Sequence, residues 1–222
     1  MNYFDIHTHQ FSVHPEDISI INISVGVGLD LPRLRISDET PQAILPLRSC
    51  GIHPWYIYDA DEQMSVLRDL VSSPDVVAIG EAGLDKMANI PLEEQKSVFM
   101  RQVNLSEEVG KPLIIHCVKA WAELIACRKE ASPSQPWIIH GFRGNGELAA
   151  QLVRQGFYLS FGVYFQASAV RAAWPGSLFA ETDDKPVDIR KVYENLSLSL
   201  SLPEAELAAQ IAKNIRVFNI TP

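Results

Sequence analysis

The chain has 222 residues, 47% of them hydrophobic, and a formal net charge of −8. That length suits one domain, spanning 1–222, with a sizeable core. The acidic balance excludes a general nucleic-acid coat protein, which is basic, but not a nucleic acid met through bound metal cations. No run of about 18 apolar residues predicts a membrane span, and Met1-Asn2-Tyr3-Phe4-Asp5 lacks the pattern of a signal peptide. Cys50, Cys117 and Cys127 are odd in number and form no CxxC, which points to reduced thiols in a cytoplasmic protein.

Short apolar runs then alternate with amphipathic stretches along the chain. Strands are predicted at 3–7, 18–25 and 43–49, with 17–39 weakly patterned. A helix at 61–72 places Met64, Leu67, Leu70 and Val71 on one face. Next come a strand at 76–80, a helix at 92–109 carrying Val98, Phe99, Val103 and Leu105, and a strand at 113–117. A helix at 123–130, a strand at 137–140, a helix at 146–154 and strands at 157–160 and 177–181 follow. Helices at 188–200 and 203–216 close the chain. Pro203 opens the last one, with Glu204 and Glu206 in the first turn, where the helix dipole favours anions. Several strands are apolar throughout, as parallel strands buried on both faces are. Strand and helix in alternation imply an α/β fold with a mainly parallel sheet. About eight such units predict a TIM-like (β/α) barrel at the short end of its size range, with one or two units over 17–39 shortened or distorted.

Four of the six histidines sit where strands end. His7 and His9 close the first strand, His116 the run Pro112-Leu113-Ile114-Ile115, and His140 the run Trp137-Ile138-Ile139. In parallel barrels this is the rim that carries active sites. Residues i and i+2 of a strand point the same way, so His7 and His9 project together, with Asp5 one layer deeper. Glu81 ends another strand, and Glu181-Thr182-Asp183-Asp184 another. Imidazoles and carboxylates together suit zinc, manganese and similar ions, and a bridging carboxylate suits a pair of them. Each piece alone has a plainer explanation: a structural histidine, a turn-capping Glu81, or Asp183 as a helix N-cap. Their coincidence at separate strand ends favours the metal site.

Read in order, eight short motifs show that the chain resembles the TatD-type metal-dependent hydrolases, often described as TatD DNases, within the amidohydrolase-like barrels. They are Phe4-Asp5-Ile6-His7-Thr8-His9, Gly51-Ile52-His53-Pro54, Ile79-Gly80-Glu81-Ala82-Gly83-Leu84-Asp85, Lys111-Pro112-Leu113-Ile114-Ile115-His116, His140-Gly141-Phe142-Arg143-Gly144, Gly156-Phe157-Tyr158-Leu159-Ser160, Glu181-Thr182-Asp183 and Asn214-Ile215-Arg216-Val217-Phe218. The resemblance implies two divalent metal ions (zinc, magnesium or manganese). His7, His9 and Asp183 would hold the first, His116 and His140 the second, and Glu81 would bridge them. It further implies that Asp183 orients or deprotonates the attacking water and that His53 contacts a substrate phosphate. Asp85 is expected to support Glu81, and Asp5 to orient ligating imidazoles. Arg143 and Lys119 lie just past ligand-bearing strand ends, placed to grip an anion or simply to be solvated. Cys117 and Val118 replace the family's usual serine and arginine, and Asp184-Lys185-Pro186 shortens the loop after Asp183. These changes fall where substrate is gripped, not where metal is held.

The expected activity is metal-assisted hydrolysis of a phosphodiester, with DNA or a small diester at the site. No obligate protein partner is evident, and a monomer is the default. Hydrolysis of an amide or a lactone is the nearest alternative, since a fold does not fix a function. Many cyclic-amide hydrolases bridge their metals with a modified lysine, whereas the bridge candidate here is Glu81. A barrel that binds metal without turnover is the alternative from another class. Retention of every ligand position speaks against it.

Overall fold

A computed structural model describes residues 2–12, 14–27 and 46–220. Eight strands form one sheet in sequence order: β1 (Phe4–Thr8), β2 (Ile18–Ser24), β3 (Leu47–Gly51), β4 (Val76–Asp85), β5 (Leu113–Val118), β6 (Trp137–Ile139), β7 (Phe157–Phe161) and β8 (Leu178–Ala180). Every neighbouring pair runs parallel. The sheet curls until its ends meet in a bridge between Thr8 and Asp183, giving a nearly closed barrel. Around it lie α1 (Ala60–Val71), α2 (Leu92–Val109), α3 (Trp121–Ala131), α4 (Gly146–Arg154), α5 (Ala167–Ala173), α6 (Ile189–Leu200) and α7 (Glu204–Asn214), followed by a 3-10 turn at Ile215–Phe218.

The strands are buried because both faces are covered. Ile79, Leu113, Ile114, Ile115, Ile138 and Leu159 have no exposed surface, in keeping with their continuous apolar runs. Helix starts follow the local chemistry. Asp59 accepts from Glu62 N ahead of α1, Asn145 from Leu148 N ahead of α4, and Asp188 from Arg190 N ahead of α6. Each satisfies a donor that a helix N-terminus leaves free.

All eight expected strands are present, although residues 43–45 of the expected third strand lie outside the described residues. Two differences stand out. The fourth strand runs five residues past the expected end, to Asp85. Helix α5 is not among the expected helices; it is seven residues long, and Gln166 ahead of it makes no side-chain capping bond. Within the weakly patterned 17–39, the expected strand at 18–25 forms over Ile18–Ser24. The shortened unit precedes it, since the described residues between β1 and β2 contain no helix. Most of the rest of the weakly patterned region lies outside the described residues. Among the described residues no helix is long and apolar enough to cross a membrane.

Candidate metal centre

The expected ligands meet at the C-terminal rim of the barrel. His7 lies fully buried on β1, while the His9 side chain, beyond the end of β1, is 40% exposed. His116 is on β5, and His140 directly follows β6. Asp183 lies three residues past β8 at φ 56°, pinned to β1 on both sides. Its N–H donates to His7 O (3.0 Å), and its carbonyl accepts from His9 N (3.1 Å).

Glu81 sits in β4 where the pairing register with β5 shifts, and its carboxylate occupies the middle of the group. Oε1 lies 2.7 Å from His140 Nε2, 2.9 Å from His116 Nδ1 and 3.2 Å from His53 Nε2. Oε2 lies 3.6 Å from His7 Nε2. Asp183 Oδ1 is 3.7 Å from both His7 Nε2 and His9 Nε2. The fold thus gathers all six expected ligands, and His53 with them.

Three subsets bring one donor atom each within 4.8 Å of one another: His7, His140 and Asp183; His7, His9 and Glu81; His53, Glu81 and His116. These cut across the expected division into His7/His9/Asp183 and His116/His140. His140 falls with His7, and His53 lies as near Glu81 as a ligand would.

Electrostatics and hydrogen bonding make this donor set fit a divalent cation. Both ring nitrogens of His7 and Nδ1 of His140 are buried without hydrogen-bond partners, an arrangement that is costly unless something else satisfies them. Burial holds the His7 imidazole well below its usual value, with the neighbouring His140 adding to the effect, so its lone pair is available. His53 is likewise lowered by burial. Burial would raise Glu81, but His140, His116 and His53 outweigh it and keep the carboxylate charged. Burial would lower His140; Glu81 and Glu181 outweigh it and hold the ring well above its usual value. Asp183 is raised by burial, reinforced by Glu181 and Glu81. The lowered His7 and His53 rings offer lone pairs, and the carboxylates that hold the proton on His140 would equally hold a cation in its place.

The supporting residues differ in part from expectation. Asp85 makes its bonds to His116 Nε2 (2.9 Å) and Trp55 Nε1 (2.6 Å), so it supports His116 rather than Glu81. Asp5 makes no hydrogen bond to an imidazole nitrogen among the described residues. It accepts from His7 N (3.4 Å), Thr182 N (3.1 Å) and Thr182 Oγ1 (2.6 Å), tying the start of β1 to the end of β8. Arg143 stacks over Tyr164 at 5.5 Å, and both line a small cleft with Lys185 and Asp183. Lys119 reaches Met87 Sδ at 3.5 Å. Cys117 is half-buried beside His116, and burial pushes its thiol up to about 12, disfavouring the thiolate.

Several supports were not read from the sequence. Asn22 Oδ1 accepts from Glu81 N (2.9 Å) and from Ser49 (3.2 Å), steadying the strand that carries the central carboxylate. Its signal was one polar residue inside the apolar run Ile20-Ile21-Asn22-Ile23. Glu181, fully buried, accepts from Gly141 N (2.5 Å) and lies 3.6 Å from His140 Nδ1. From α2, Gln102 clasps the backbone of Ile52 (2.8 and 3.1 Å) just before His53, and Gln95 clasps that of Asp85 (2.7 and 3.0 Å). Glu181 stands in the motif Glu181-Thr182-Asp183 without a role of its own, and nothing in the local sequence marks the two glutamines.

Comparison with known proteins agrees with this geometry. The profile of the TatD related DNase family matches residues 19–219. The uncharacterized metal-dependent hydrolase YcfH of Escherichia coli (strain K12) is 30% identical over 90% of this chain and 84% of its own. The 3'-5' ssDNA/RNA exonuclease TatD of Cronobacter turicensis is 35% identical over 50% of this chain and 43% of its own. The crystal structure of YJJV, a TatD homolog from Escherichia coli K12, superposes with a TM-score of 0.81 at 21% identity, covering 98% of both chains. Barrel, rim and matched sequence coincide, and the chain belongs to the TatD related DNase family of metal-dependent hydrolases.

Proposed function

We propose that this protein hydrolyses phosphodiesters, DNA foremost, with two divalent metals held by His7, His9, Glu81, His116, His140 and Asp183. The observation that carries this is the Glu81 carboxylate. Its Oε1 faces His116 and His140 at 2.9 and 2.7 Å, and its Oε2 faces His7 at 3.6 Å, as a bridge between two sites requires. The family profile and the exonuclease name of one relative support the choice of bond. When bound, zinc, magnesium or manganese supplies Lewis-acid polarisation and makes a water more acidic.

The chain's own groups do the rest. Asp183, a carboxylate raised by burial and its acidic neighbours, accepts the proton of the attacking water on Oδ1. His53, 3.2 Å from Glu81 Oε1, contacts a phosphoryl oxygen. Arg143 and Lys185, beside Tyr164, hold a neighbouring phosphate. His7 and His140 are buried, and Glu181 stands 3.6 Å from His140 Nδ1. We read the protein as a single-domain monomer, and its three free cysteines suit a cytoplasmic setting.

The test is metal-dependent cleavage of single-stranded DNA and of a small chromogenic diester. Chelated protein would be refilled with magnesium, manganese or zinc. Restored activity on both substrates is expected, and His116→Ala is expected to fold normally yet lose most of it. Cleavage of the small diester alone points to a smaller natural substrate. Metal binding without diester cleavage overturns the reading and directs attention to amide and lactone substrates.

A further inference from the structure

Trp55 stands two residues past His53, in the loop after β3, and is 51% exposed. A half-exposed tryptophan leaves much apolar surface in water, and such a surface at a site rim is where a ligand ring is met. The same side chain is anchored from below. Its Nε1–H donates to Asp85 Oδ2 (2.6 Å), and that oxygen also accepts from His116 Nε2 (2.9 Å). Asp85 itself is fixed: Oδ1 accepts from Met87 N (2.7 Å), and Gln95 holds its backbone.

The consequence for His116 is geometric. Carboxylate oxygens stand at 2.9 Å from both ring nitrogens, Asp85 Oδ2 at Nε2 and Glu81 Oε1 at Nδ1. A ring that is to give Nδ1 to a cation keeps its proton on Nε2, and Asp85 is placed to accept it there. The indole ring meets its surroundings edge-on, with ring centres 5.1 Å from His53 and 5.9 Å from His116. Tyr56, also exposed, stands 6.4 Å away. Two cationic groups, Arg143 and Lys185, lie on the β6–β8 side with Tyr164, while Lys119, past β5, reaches Met87 Sδ. A base on Trp55 would not compete with Arg143 and Lys185 for phosphate.

We propose that Trp55 is a positioning residue with two joined roles: its exposed ring stacks a nucleobase of the substrate beside the metal centre, and its N–H, through Asp85, sets the orientation of His116. The stacking role rests on the phosphodiester reading above; the positioning role does not.

Two substitutions separate the roles. Trp55→Phe keeps a stacking ring and removes the N–H; Trp55→Leu removes both. Circular dichroism confirms folding, and zinc is titrated calorimetrically into chelated protein. Hydrolysis at saturating metal is then measured on a dithymidine diester and on the same diester lacking one base. Both variants are expected to bind zinc about tenfold more weakly, the size typical of losing a partner behind a ligand. Asp85→Asn should show the same loss, and adding Trp55→Phe to it should weaken zinc no further. Trp55→Leu alone is expected to raise KM about tenfold, within the range of one base–aromatic stack, and only on the intact diester. Unchanged zinc affinity in Trp55→Phe overturns the positioning role. An equal KM for Trp55→Leu and the original protein on the intact diester, or an equal rise on both diesters, overturns the base subsite while leaving the nuclease reading intact. If the original protein cleaves neither diester, the nuclease reading and the base subsite fall together, and the zinc titration still decides the positioning role.

Discussion

Glu81 is surrounded by imidazoles: His7, His53, His116 and His140 all lie within 3.6 Å of its oxygens. A buried carboxylate in that position is tolerated because the rings and Asn22 hold it, and it gives bound cations their counter-charge. Glu81→Gln keeps the shape and removes the charge. It should lower metal affinity and diester hydrolysis by more than about 100-fold, since even partners behind a ligand are worth about 10–100-fold; titration calorimetry and the diester assay check this. Residues of this kind were legible because ligand chemistry needs particular side chains at strand ends, and strands show in an apolar pattern. Asn22, Glu181, Gln95 and Gln102 were not legible in the same way. They act across the barrel from distant elements, and only the closed ring brings them to their partners.

At the scale of elements, the β4–β5 seam shows why part of the fold escaped the sequence. The run Gly80-Glu81-Ala82-Gly83 reads as a strand ending in a loop, yet the strand continues. Gly83 is needed there because the neighbouring backbone comes close: with φ at +154°, a Cβ on it would lie 1.9 Å from His116 O. Gly83→Ala should therefore destabilise the protein by about 2–3 kcal/mol through overpacking, measured by denaturant unfolding, and should displace His116. Helix α5 was missed for a different reason. Seven residues hold too few turns for a periodic pattern to show. At the opposite end of the barrel, Arg48 of β3 donates to Oδ2 of Asp75, just ahead of β4, and Ser73 donates to its Oδ1. Burial would raise the Asp75 carboxyl, but Arg48 and Ser73 outweigh it and keep it below the usual aspartate value. A depressed acid is protonated more readily in the unfolded chain, so its stabilisation is complete above about pH 4 and fades as pH falls further. Urea unfolding of Asp75→Asn should accordingly lose less stability than the original protein between about pH 4 and pH 2.

At the scale of the molecule, the ligands come from strands all around the barrel, so metal binding and folding are linked. A ligand present at about 100 times its Kd stabilises the native state by about 2.7 kcal/mol. For a chain of this size that corresponds to a rise in Tm of about 5–10 °C. Calorimetric scans of chelated and refilled protein should show that difference; equal values would mean that the cluster binds metal weakly or not at all.

Barrel closure has one more implication. His7 and His9 lie near the start of the chain and Asp183 near residue 180, and they come together only where Thr8 bridges to Asp183. Joining segments so far apart in sequence is slow compared with forming local turns. During synthesis the first strand waits for the last, and no shorter nascent chain can place Asp183 beside His7 and His9. The centre is therefore complete only when the ring closes: His53, Glu81, His116 and His140, carried from β3 to β6, can gather first, and Asp183 joins His7 and His9 last.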